Sequence, residues 1–192
     1  MNTIYLAGQV LNTPKFSHEC YGEKFYKFNI GTGRISGVED SIPCTIAEVY
    51  LKNVVEFANI SVFGEVRSGH ENGRLNIEVF VKEINEYEED RNDFDATGYI
   101  CTQPTYRKTP MGREISDIMI AVHRERFGKS DYIPLVAWGR NAVYASNMEI
   151  GTKINVSGRL QEREYKKTFP NGEVEYRTVY EVSVTDIEGD AE

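Results

Sequence analysis

Apolar and polar side chains alternate along most of this chain, and a period of two predicts strands almost throughout. In Asp131–Trp138, Ile133, Leu135 and Ala137 fall on one strand face, and Tyr132, Val136 and Trp138 on the other. In Lys153–Tyr165, Ile154, Val156 and Leu160 point one way, and Asn155, Arg159, Arg163 and Tyr165 the other. The pattern predicts strands near 2–16, 23–33, 41–50, 59–67 and 74–85, then near 96–106, 113–123, 131–139, 152–165 and 174–187. Two short stretches suit helices instead, Leu51–Ala58 and Asn141–Met148, each between a third and a fourth strand.

The two sets of strands carry matching signposts in the same order. Ala7-Gly8-Gln9-Val10 is echoed by Thr97-Gly98-Tyr99-Ile100, and Thr13-Pro14-Lys15-Phe16 by Gln103-Pro104-Thr105-Tyr106. Ser41-Ile42-Pro43 is echoed by Tyr132-Ile133-Pro134, and the Gly64 run by the Gly158 run. Asn72-Gly73 and Asn171-Gly172 each precede a last strand, and both dipeptides suit turns that need positive φ. A duplicated domain is the economical explanation. Five strands with a helix between the third and fourth, in so short a span, predict an all-β protein of two tandem OB-fold Greek-key barrels. The expected boundaries are a first barrel over 1–85, an acidic linker over 86–96, a second barrel over 97–187 and a short acidic tail over 188–192.

Composition changes this picture in one respect. The net charge of −8 argues at first against a polyanionic partner. Its distribution reverses that argument: the linker carries six acidic residues and one basic, and the tail three acidic residues. Residues 97–187 hold 13 basic and 11 acidic side chains, a slight positive excess. Whole-chain charge bears on solubility and steering rather than on what one face binds. No run of 18 apolar residues predicts a membrane span, and no basic start followed by an apolar core predicts a secretory leader. Cys20, Cys44 and Cys101 are far apart and predict buried or strand thiols in a reducing cytoplasm, without a disulfide or zinc site. His18, His70 and His123 are isolated, and no nucleophile–base pair or phosphate-cradling loop is evident. The expectation is a binding protein without cofactor, metal or catalytic activity.

A strand pair with one aliphatic face, and Tyr, Trp and Arg on the other, suits a groove that stacks bases and neutralises phosphates. An ordinary amphipathic sandwich would show the same alternation, and Trp138 beside Gly139 also fits a core position. Arg113 reads equally as a groove cation or as a solvated turn charge. Lys166 and Lys167, next to Tyr165 before a hairpin turn, read as a phosphate clamp or as solubility residues.

The second half resembles the bacterial single-stranded DNA-binding protein family. The resemblance is carried by Gly98, Tyr106-Arg-Lys-Thr-Pro-Met-Gly112, Ile120-Ala-Val-His-Arg124, Asp131-Tyr-Ile-Pro-Leu-Val-Ala-Trp-Gly139 and Gly158-Arg-Leu-Gln-Glu-Arg-Glu-Tyr165. The first half is similar in outline only, as a diverged copy in a tandem version would be. The resemblance implies binding and protection of single-stranded DNA, tolerant of sequence, in replication, recombination or repair. It places stacking aromatics at Tyr132, Trp138 and Tyr165, with Phe127 near a fourth such position, and cations at Arg107, Arg113, Arg124, Arg126, Arg140, Arg163, Lys166, Lys167 and Arg177. It also implies a homodimer, giving four barrels, in the cytoplasm with the nucleoid. Stacking and phosphate contacts serve single-stranded RNA as well, so the groove chemistry alone does not separate the two. Family members that recruit replication or repair enzymes have an acidic tail tip ending in Pro-Phe, which the sequence Glu188-Gly-Asp-Ala-Glu192 lacks. A competing expectation is a non-catalytic OB-fold interaction module with weak or lost DNA binding.

In the first half the counterparts of Tyr132, Trp138 and Tyr165 are Ser41, about Ala47 and about Glu71. The stacking positions are empty of aromatics there, and Phe28, alternating with Ile30, is expected in the core. The first barrel is therefore expected to act as a scaffold or oligomerisation surface.

Overall fold

Proline breaks the first predicted strand of each half in two. The structure, a computed structural model, describes residues 1–124 and 128–189. Strands β1 (Asn2–Val10) and β2 (Lys15–Cys20) flank Pro14, and β7 (Arg91–Ile100) and β8 (Thr105–Lys108) flank Pro104, where single continuous strands were expected. Proline lacks the N–H that a continuous ladder needs. The remaining strands are β3 (Glu23–Gly33), β4 (Glu39–Ala47), β5 (Asn59–Glu71) and β6 (Arg74–Asn85) in the first half. The second half continues with β9 (Glu114–His123), β10 (Ser130–Trp138), β11 (Lys153–Thr168) and β12 (Val174–Gly189).

Each half closes into a five-stranded barrel. In the first, β1 pairs with β3, β3 with β4, β4 with β6, β6 with β5 and β5 with β1; only β4–β6 is parallel. The second repeats this circuit as β7, β9, β10, β12 and β11, again with one parallel pair, β10–β12. This is the OB-fold order, with β2 and β8 added as short outer strands. The expected helix of the second half is α1 (Arg140–Ser146), which covers one end of the barrel through buried Ala142 and Ala145. In the first half it is a 3-10 turn over Glu48–Asn53, earlier and tighter than the expected Leu51–Ala58. The consecutive β-branched residues Val54 and Val55, with Phe57 at φ +66°, leave no helical continuation there.

The acidic segment expected as a linker through Ala96 is strand from Arg91 onward. Its alternation explains why: Phe94 and Ala96 are buried, while Asp93 is exposed. Strand β7 lies antiparallel to β1, with Ile4 opposite Phe94, and so joins the two barrels in one sheet. Ile4 and Phe94 occupy equivalent places in the two halves, so a local two-fold relates the barrels. Both side chains are fully buried, and the apolar core continues across the seam through them.

Polar contacts obey the same two-fold. Asn2 exchanges two bonds with the Val66 backbone (2.7 and 3.0 Å), and Asn92 does so with Leu160 (2.7 and 2.9 Å). Asp40, wholly buried, accepts from Arg34, from Arg159 (2.9 Å) and from the Glu162 N–H (3.0 Å). Its counterpart Asp131 accepts from Arg124 (2.5 and 2.8 Å), Arg67 (3.3 Å) and the Ser68 N–H (2.7 Å). Each carboxylate thus joins a loop-end arginine of its own barrel to a strand of the other. A buried charge is tolerated when it is paired and hydrogen-bonded in this way.

Candidate nucleic-acid interface

Strand β10 sorts its residues by parity. Ile133, Leu135 and Ala137 are buried in the core, while Tyr132 and Trp138 stand outward, 44% and 40% exposed. Cross-strand register carries that outward face sideways, because directly opposed side chains share a face. Trp138 lies opposite Ile115, Val136 opposite Asp117 on one side and Ser183 on the other. Further along β12, Val179 and Arg177 follow Ser183 at intervals of two, opposite Arg163 and Tyr165 of β11. Tyr132, Trp138, Arg163, Tyr165, Lys167 and Arg177 therefore share one outward face of the second barrel. Lys166 alternates to the opposite side of the β11–β12 arm, where it faces the exposed Tyr176.

At the Trp138 end the surface dips into an open pocket of about 480 Å³, lined by Gly112, Arg113, Glu114, Trp138 and Gly139. Gly112 and Gly139 take positive φ (+78° and +55°), and neither has any atom within 4 Å of where a Cβ would be. Backbone can therefore come close to a ligand beside the indole. Tyr165 is half-buried, with the Arg163 guanidinium carbon 5.7 Å from its ring centre, within cation–π range.

The nine sequence-derived cations separate by what already holds them. Arg107 makes a forked pair with Asp117 (3.0 and 3.2 Å), which holds its charge by raising its pKa. Arg163 pairs with Glu181 at 3.0 Å, and Arg177 with Glu175 at 2.6 Å, chiefly through which Glu175 is held below the usual carboxyl range. Arg124 is committed to the buried Asp131 and to the Ser68 carbonyl (3.3 Å), and so belongs to the junction between barrels rather than to the outward face. Arg113, Arg140, Lys166 and Lys167 are exposed and make no ion pair among the described residues. Arg126 and Phe127 lie outside the described residues.

One contributor was not expected from the sequence. Phe169 sits under the cations of the arm, its ring centre 5.1 Å from Lys167 Nζ and 5.7 Å from Arg177 Cζ. It belongs to a turn, where alternation carries no signal. Tyr106, on β8, lies opposite Ser116 and so on the parity of Ala137 rather than of Trp138; it donates its hydroxyl to Glu114 at 2.9 Å.

The equivalent face of the first barrel is built otherwise. Ser41 accepts from Asn29 (2.9 Å), Ala47 is buried, and Glu71 ends β5 next to the Asn72-Gly73 turn. Aromatic rings occur one strand over: Phe25 lies opposite Ala47, and Phe80 beside Thr45. His18 stacks on Phe25 (5.0 Å), Phe25 tilts against Phe80 (5.7 Å), and Arg67 lies over Phe80 (5.8 Å). Phe25 is buried, so this ladder is closed by packing. The signal for it lay in the repeat, because Phe80 stands where the second copy has Ser183. Phe28 is core, as its alternation with Ile30 predicts.

Among the described residues no group of three or more His, Cys, Asp or Glu side chains is placed to hold a metal ion. Cys20, Cys44 and Cys101 are free thiols; Cys44 is buried in the first barrel, and burial pushes its pKa up, whereas Cys20 is exposed. No described helix is long and apolar enough to cross a membrane.

The single-strand binding protein family model matches residues 92–189, slightly more than half of the chain. A single-stranded DNA-binding protein of Clostridium tetani is 37% identical over 76 residues, which are 36% of this chain and 52% of that protein. Single-stranded DNA-binding protein 3 of Clostridium acetobutylicum is 37% identical over 75 residues, covering 35% and 51%. The chain spans about half the length of the curated relatives it matches. The wild-type single-stranded DNA binding protein of Thermus aquaticus superposes on both barrels, with a TM-score of 0.77 over 100% of this chain and 94% of that one, at 20% identity. That likeness establishes a shared tandem fold.

Proposed function

The chain belongs to the single-strand binding protein family, and from this premise we propose that it binds and protects single-stranded DNA on the outward face of its second barrel. The observation that carries the reading is the pair Tyr132 and Trp138, two large rings half out of the surface on a strand whose other face is wholly buried. Rings so placed offer stacking platforms to any base, and the surrounding cations follow the phosphates. Arg113, Arg140 and Lys167 are the foremost phosphate partners, because their charge is not already neutralised by a neighbour. Arg107, Arg163 and Arg177, each held by a carboxylate, shape the face and stiffen the rings beside them.

The role is binding without chemistry, serving replication, recombination or repair from the cytoplasm. The first barrel acts mainly as a scaffold and oligomerisation surface, and two chains assemble four barrels. Sedimentation equilibrium of the free protein tests the dimer.

Titration with oligo(dT) at low and moderate salt, following the fluorescence of the single tryptophan, tests the reading. Strong quenching that weakens steeply with salt is expected. No spectral change, together with no gel shift at low salt, refutes it and leaves an OB-fold interaction module. Competition by an RNA oligomer of the same length tests the preference for DNA.

A further inference from the structure

The N–H of Tyr132 has no strand to bond on its outer edge. Strand β10 pairs with β9 along its whole length, but with β12 only at Leu135 and Val136. Toward Asp131 the open edge of β10 meets the first barrel instead. There Ser68 Oγ accepts the Tyr132 N–H at 2.7 Å, the Ser68 N–H bonds Asp131 at 2.7 Å, and Arg67 reaches Asp131 at 3.3 Å. Arg67 is itself held by Glu65 and by the face of Phe80.

The mirror-related junction supplies an internal comparison. Asp40 receives the Glu162 N–H as Asp131 receives that of Ser68, but the residue after Asp40 is Ser41, which carries no ring. Among the described residues Glu162 makes no side-chain bond to the Ser41 backbone. Only the junction that leads into an aromatic has a hydroxyl fixing the backbone of that aromatic.

We propose that Ser68, supported by Arg67, is a positioning residue through which the first barrel sets Tyr132 for stacking in the second. The inference rests on the reading of Tyr132 as a base-stacking residue. It gives the first barrel a part in binding that needs no contact with DNA. A ring must be held at a fixed height and angle for stacking to be productive, and a backbone bond at its own N–H is the most direct way to hold it.

The test is Ser68→Ala in the full chain, measured by anisotropy of labelled oligo(dT) across a salt series. Loss of this acceptor is expected to weaken affinity about fivefold. The slope of log K against log salt should stay as in wild type, because no phosphate contact is lost. In a Tyr132→Ala background the Ser68→Ala effect should vanish, and Ser68→Thr, which keeps the hydroxyl, should restore affinity. Ser41→Ala, at the mirror junction, should leave affinity unchanged. Undiminished affinity in Ser68→Ala overturns the inference. So does a full Ser68→Ala effect on top of Tyr132→Ala, or a flattened salt slope, either of which would make Ser68 a direct contact. If Tyr132→Ala binds as wild type does, the stacking premise fails and the positioning role with it. If the wild-type chain does not bind oligo(dT), the functional reading itself has failed.

Discussion

Replacing Arg113, Arg140 and Lys167 together by glutamine removes three exposed cations of the second barrel that make no ion pair among the described residues. Each cation that meets a phosphate on single-stranded DNA contributes about 0.7 to the slope of log K against log salt. The triple variant should therefore lose roughly 2 units of slope. Between 50 and 200 mM salt, the wild type should lose on the order of 20-fold more affinity than the variant does. Two controls follow from the geometry. Arg107→Gln with Asp117→Asn deletes a pair already neutral, joined at 3.0 Å, and should leave the slope unchanged. Lys166→Gln deletes a free cation on the far side of the arm and should change it less than Lys167→Gln does. Anisotropy titrations of labelled oligo(dT) at five or so salt concentrations read the wild type and every variant. If the neutral double swap flattens the slope as much as Arg113→Gln alone, the sorting of cations by their carboxylate partners is refuted.

Trp138→Ala should weaken oligo(dT) binding about 5- to 150-fold at fixed salt, the range for one lost stacked base, with the salt slope kept; an unchanged Kd would return the indole to a purely structural role. Asp131→Asn and Asp40→Asn should each lower unfolding free energy by about 2–3 kcal/mol in urea titrations, because loss of Asp40 leaves Arg34 and Arg159 without their anion and loss of Asp131 leaves Arg124 without its own and Arg67 with Glu65 alone. That figure is discounted for guanidiniums that are about a quarter exposed, and a change under about 0.5 kcal/mol for either would contradict it. Gly8→Ala should be far more damaging than Gly98→Ala, because its Cβ would stand 1.9 Å from the Gly31 carbonyl oxygen, against 3.0 Å from that of Ala121. Thermal melts should place the two apart by more than about 1 kcal/mol in that order.

Strand-level organisation was legible because one force writes it plainly. Ile133, Leu135 and Ala137 must be buried, so Tyr132 and Trp138 must be outside, and the register of β10 follows. The repeat was legible for the same reason, down to Gly64 and Gly158, which sit at matching bulges where a Cβ would strike the Phe80 and Ser183 carbonyls. What could not be read was anything decided by pairing between distant polar groups. Arg124 looks, in sequence, like any other cation after a strand; only the fold brings it to Asp131, Arg67 and Ser68. Arg107 and Arg163 likewise gave no sign of their carboxylates, which lie on the neighbouring strand at no fixed sequence spacing, whereas the partner of Arg177, Glu175, stands two residues away on its own strand. Strand β7 was shortened in prospect because its outward face is acidic, although Phe94 and Ala96 already showed the buried parity of a strand.

The two barrels differ on the outward face, while beneath it each repeats a buried carboxylate, an asparagine bridge and a glycine bulge. These are groups that cannot change singly. Removing Asp40 or Asp131 strands charges, and adding a Cβ at Gly64 or Gly158 pushes backbone strands apart. The outward face is less restrained: Tyr132 against Ser41 and Ser183 against Phe80 are exchanges at partly open positions, and Trp138 stands out where its counterpart Ala47 is covered beside Phe25. Such exchanges cost little stability, typically within about 0.5 kcal/mol when exposed. Duplication of a binding barrel therefore leaves its groove freer to diverge than its junction. In this chain the divergence has a direction. The aromatics of the first barrel sit on neighbouring strands, where Phe25 and Phe80 pack against each other and His18 and Arg67 cover them. A ring covered by another ring gains packing and gives up its face to a base. The rings of the first barrel thus add to its packing, while Ser68 and Arg67 at its edge reach across to the strand that presents Tyr132.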